Sequence, residues 1–74
     1  MKHKIIDIIQ KILGTNEEII LNLPFREIGI NSLQFVQILV AIEDEFNIEI
    51  PDEYLDINEV HNVIDLLHIV DSLQ

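Results

Sequence analysis

The chain contains no cysteine, which excludes disulfides, thiolate nucleophiles and thiolate metal sites and fits a reducing cytosol. Basic residues are scarce as well. Among 74 residues, four are Lys or Arg against 14 acids, giving a formal net charge of -10. All four cations, Lys2, Lys4, Lys11 and Arg26, fall in the first third, so residues 27–74 carry acids alone. Such a chain repels phosphate backbones, and no nucleic-acid partner is expected. It steers instead toward basic protein surfaces, with an attraction that weakens as salt rises. Solubility alone is the competing account of the same acids, since a charge run is commonly a solvated face. Long apolar runs are missing too. The longest uncharged stretch, Ile28 to Ile42, is too short to span a bilayer and contains Asn31, Ser32, Gln34 and Gln37. With no targeting segment, the expectation is a cytoplasmic protein without membrane insertion.

What is present is aliphatic. Hydrophobic residues make up 49% of the chain, enough for a compact core and against disorder. The length suits one small domain, residues 1–74, whose core is only just large enough. A monomer is expected. There are no repeats and no low-complexity tract.

Period decides the fold class. Ile5, Ile8, Ile9 and Ile12 fall on one side of a first helix, widened by Ile6 and Leu13, that stops at Gly14. Thr15 to Ile30, with turn formers Pro24 and Gly29 among Ile19, Ile20, Leu21, Leu23 and Phe25, reads as a long loop packed onto helices. A second helix runs from about Ser32 to Phe46, a short helix or turn follows Pro51, and a last helix begins near Asn58 or Glu59 with Val60, Val63, Ile64, Leu67 and Val70 inward. Phe46, Ile48 and Ile50 alternate like a half-buried strand. Without a partner strand they are read as an extended connector. The prediction is an all-α, small four-helix bundle, three longer helices and one short, against the β preference of so many isoleucines.

Ser32 is the most informative residue. Asn31 reads as the N-cap of the second helix, with Gln34 three residues on and able to reach back in a capping box. Ser32 then occupies the first turn, where unpaired N–H groups and the helix dipole favour an attached phosphate. At about 100° per residue, Phe35, Ile38, Leu39, Ile42 and Phe46 make a core face. Leu33, Val36 and Val40, bordered by Gln37, Glu43 and Asp44, make a second stripe beside Ser32. It is either a docking surface or, through Val36 and Leu39, the margin of one broad buried face.

These residues resemble the acyl carrier and peptidyl carrier proteins over nearly the whole chain. Gly29-Ile30-Asn31-Ser32-Leu33 is similar to that family's Gly-x-Asp-Ser-Leu, and Leu39, Ile42, Glu43, Glu45 and Phe46 follow in register. The run from Phe46 to Glu53 is similar as well. The resemblance implies a four-helix bundle with a long first loop. It also implies that Ser32 receives 4'-phosphopantetheine from coenzyme A through a Mg-dependent phosphopantetheinyl transferase, and that the arm's thiol carries an acyl or aminoacyl group as a thioester. Asn31 would cap the helix beside the attachment point. Leu33, Val36, Gln37, Val40, Glu43 and Asp44 would meet the enzymes that load and process the cargo in fatty-acid, polyketide or nonribosomal-peptide assembly. Three departures stand out: Asn31 replaces Asp and removes a charge that helps engage the transferase; Gln34 and Gln37 replace acids; and Leu55 to Val60 is slightly shorter. They point toward a free-standing carrier of specialised assembly.

Catalysis is not expected. Serine needs a base to lose its proton, and no His, Lys or carboxylate is placed beside Ser32 in a recognisable arrangement. Gly29 to Leu33 lacks the second glycine of a nucleophile elbow, which speaks against a small hydrolase. His61 and His68, read onto one face of the last helix, are about 10.5 Å apart along its axis and cannot share a metal ion. The acids from Glu43 to Asp56 lack the calcium-loop pattern, which leaves loose divalent binding at most. The alternative to a carrier is an unmodified acidic helical adaptor whose Leu33, Val36 and Val40 stripe fits a basic partner groove.

Overall fold

The computed structural model describes residues 1–74. It contains helices α1 (Lys2–Leu13), α2 (Phe25–Ile28), α3 (Ser32–Phe46) and α4 (Val63–Leu73), with one 3-10 turn at Asp52–Tyr54 and no strand. The all-helical expectation is met. Ile5 and Ile9 of α1 are fully buried, with Ile8 and Ile12 half-buried beside them. Gly14 closes α1 in the left-handed region, φ 72°, where its N–H donates to the carbonyls of Gln10 and Lys11.

α3 packs on α1 through Phe35, Ile38, Leu39 and Ile42, none of which retains exposed surface. Phe46 is half-buried. The ring of Phe35 meets that of Phe25 at 5.3 Å between centroids in a tilted arrangement. Beyond α3 the chain is extended: Ile50 is buried, Phe46 and Ile48 are half-buried, and Asn47 and Glu49 face solvent. Asn47 adopts φ 54° to end the helix, a conformation that Asn tolerates better than most side chains. Tyr54 and Leu55 then lie against the rim of the core.

Two sequence-based expectations need correction. The first loop is not devoid of helix, because Phe25–Ile28 forms the short α2. Pro24 sets its entry with φ -55°, Gly29 ends it at φ 99°, and Phe25, 1% exposed, pins it to the core. The last helix begins at Val63, not at Asn58 or Glu59. Residues 56–60 turn back on Asp56, whose carbonyl accepts from the N–H groups of Glu59 (2.9 Å) and Val60 (3.3 Å). Asn62 is the cap, its side chain accepting from the Asp65 N–H at 2.9 Å. The carbonyl of His61, which a longer helix would turn along its own axis, accepts from Phe25 N–H at 3.0 Å instead. The inward side of α4 is accordingly Val63, Leu66 and Val70, all buried, whereas Ile64 is exposed; Val60 joins the core from outside the helix.

Candidate functional site

Local hydrogen bonding fixes where α3 begins. The Asn31 side chain accepts from the Gln34 N–H at 2.8 Å, and the Gln34 side chain accepts from the Asn31 N–H at 3.0 Å, a complete capping box. Ser32 is the first residue of the helix and is exposed. The N–H groups of Ser32 and Leu33 have no acceptor within the protein, so the helix end presents partial positive charge there.

Ser32 lies on a surface hollow of about 440 Å³ formed with Arg26, Gly29, Ile30, Asn31 and Ile57. No carboxylate lines it. The hollow joins the α2-to-α3 connection, from Arg26 to Ser32, to a segment distant in the chain, the turn before α4 that carries Ile57. Arg26 and the turn are tied directly, since the Arg26 guanidinium donates to Asn58 Oδ1 at 2.8 Å. Arg26 takes part in neither ion pair of the structure, Lys4–Glu45 and His61–Asp65.

Along α3 from Ser32, Leu33 is 68% and Val40 55% exposed. Gln37 and Asp44 are exposed and Val36 half-buried, whereas Leu39 belongs to the core. Glu43 is half-buried, and its Oε2 accepts from the Ile50 N–H at 2.7 Å. These side chains form one strip leading away from Ser32, with Glu43 also bound to the chain behind it. His61 and His68 do not share a helical face, because His61 precedes α4; both are exposed.

Residues 3–68 match the family model described as phosphopantetheine attachment site. The chain belongs to this family of carrier proteins. Over 70 residues it is 39% identical to the acyl carrier protein of Syntrophobacter fumaroxidans, covering 90% of this chain and 86% of that one. It is 59% identical over 32 residues to the mitochondrial acyl carrier protein of Dictyostelium discoideum, 43% of this chain and 27% of that protein. With the mitochondrial acyl carrier protein of Saccharomyces cerevisiae it shares 55% identity over 31 residues, 42% of this chain and 25% of the relative. The chain thus spans about a quarter of the mitochondrial relatives it matches and most of the bacterial one. No solved structure matches it.

A carrier of this family holds 4'-phosphopantetheine covalently. The surroundings of Ser32 fit such a group: an accessible hydroxyl, a helix end with free N–H donors and a guanidinium, with no acid in the hollow to repel a phosphate. Arg26 and Asn58 carry no motif signal of their own. The sign available in the sequence was charge, since Arg26 is the sole cation beyond α1.

Proposed function

We propose that this carrier holds acyl groups as thioesters on a 4'-phosphopantetheine arm esterified to Ser32 and passes them between the enzymes of an assembly pathway. The observation that supports this most is the exposed Ser32 hydroxyl at the capped start of α3, within the Gly29-to-Leu33 motif. When bound, the arm supplies the thiol on which the cargo rides. The chain's own part is to present the hydroxyl, stabilise the phosphate and tether the cargo at high local concentration.

The Ser32 proton must leave as the ester forms, and the charged side chain in the hollow is a guanidinium, which cannot accept it. The base therefore belongs to a phosphopantetheinyl transferase acting on coenzyme A, and the carrier is not itself an enzyme. Leu33, Val36, Gln37, Val40 and Asp44 supply the docking strip for that transferase and for the loading and processing enzymes, with Glu43 at its margin. An apolar centre edged by acids suits brief, salt-sensitive encounters. The names of the relatives favour acyl over aminoacyl cargo, in fatty-acid or polyketide assembly. The unit acts as one monomeric domain, and its lack of cysteine suits a reducing compartment such as the cytoplasm.

Incubation with coenzyme A and a broad-specificity transferase, followed by intact-mass measurement, tests the reading. The expected result is a mass gain of one phosphopantetheinyl group, abolished in Ser32→Ala. No gain returns the protein to the unmodified-adaptor alternative, and a gain that survives the substitution rejects Ser32 as the attachment site.

A further inference from the structure

We propose that Arg26, held in place by Asn58, binds the phosphodiester that joins the arm to Ser32 and so anchors the root of the arm on the α2 side of the hollow. The inference rests on the assignment of the arm to Ser32. It assigns a role to a residue outside the attachment motif.

The charge distribution singles out Arg26. A phosphodiester on Ser32 adds a negative charge to a chain that already carries a formal -10. The other side-chain cations, Lys2, Lys4 and Lys11, are on α1, and Lys4 is 3.5 Å from Glu45, near the far end of α3. Glu45 lies thirteen positions beyond Ser32 along α3, a rise of about 20 Å and beyond a Debye length at physiological salt. At the Ser32 end the one cationic side chain lining the hollow is Arg26.

The geometry prepares it for a phosphate. One N–H of the guanidinium is committed to Asn58 at 2.8 Å, which restrains the side chain while the remaining donors of the planar fork stay free. No carboxylate competes, because Arg26 is in no ion pair and the hollow contains no acid. Exposed ion pairs within one chain are commonly weak, but Arg–phosphate contacts made by two parallel N–H bonds are among the stronger ones. Here the anion is covalently attached on the same hollow, which raises its effective concentration and removes most of the association cost. The free N–H groups of Ser32 and Leu33 face the same charge. Arg26 also borders a second hollow with Pro24, Phe25, Ile57, Asn58 and His61.

The test uses the apo and arm-bearing forms of wild type, Arg26→Gln, Arg26→Lys and Asn58→Ala, with loading verified by intact mass. The readouts are the Arg26 Nε–H resonance and the 31P resonance of the phosphodiester. In wild type, loading is expected to shift the Nε–H signal and slow its exchange with water several-fold. The 31P signal is expected to move in Arg26→Gln, with smaller displacements in Arg26→Lys and Asn58→Ala. Because Arg26 is exposed, backbone spectra of these variants should otherwise overlay. A loaded protein whose Arg26 signal is unchanged, and whose 31P signal is the same in wild type and Arg26→Gln, overturns this inference and leaves the carrier function standing. Failure to load at all rejects both.

Discussion

The Glu43 carboxylate accepts the Ile50 N–H at 2.7 Å, fastening the last turns of α3 to the extended segment that leaves it. Ile50 is buried, so its N–H would otherwise have poor access to water. Glu43→Ala should therefore destabilise the fold by about 1–3 kcal/mol, the cost of an unmade bond to a charged acceptor. Glu43→Gln, which keeps an acceptor oxygen, should cost clearly less. Urea midpoints decide the matter: an unchanged midpoint in Glu43→Ala would leave the residue a surface acid and nothing more.

Asn31 supplies the cap without the charge that an aspartate at this position would place beside Ser32. Asn31→Ala should lower stability by about 1 kcal/mol through loss of the cap. Asn31→Asp keeps the acceptor and adds a charge that the helix dipole favours, so its melting temperature should hold or rise. The same variant should accept phosphopantetheine faster from a transferase that engages an aspartate. Thermal melts and initial rates of mass gain measure the two effects separately.

The exposed strip of α3 predicts a split between stability and exchange with partners. Leu33→Ala and Val40→Ala should change folding free energy by less than about 0.5 kcal/mol, as surface substitutions do. Each should slow acyl loading when a loading enzyme is the partner. Leu39→Ala, one position from Val40 but fully buried, should cost about 2–5 kcal/mol. Equal destabilisation in all three would mean that the strip is packed in solution.

Gly29 ends α2 at φ 99°, with nothing within 4 Å of the position a Cβ would take. Space is thus not the obstacle; backbone strain is. Gly29→Ala should destabilise by about 1 kcal/mol or more. Because Gly29 lines the hollow with Ser32, amide shifts should concentrate around residues 26–33. A variant as stable as wild type, with undisturbed shifts there, would contradict this.

The sequence by itself determined the ends that are settled within one turn of chain. Asn31 and Gln34 are three residues apart and satisfy each other, so the start of α3 and the place of Ser32 needed no tertiary information. Gly14 stops α1 for the same local reason, and the alternation from Phe46 to Ile50 was readable because an extended chain exposes every second side chain. Tertiary structure decided the rest. Whether residues 58–62 would be helical depended on the His61 carbonyl, which bonds to Phe25 rather than within its own helix. α2 depended on burial of Phe25 against Phe35. The hold on the Arg26 side chain depended on Asn58, 32 residues away in the chain. Short-range hydrogen bonds are encoded by spacing alone, whereas a backbone group with two possible partners is assigned by packing, and packing involves the whole chain at once.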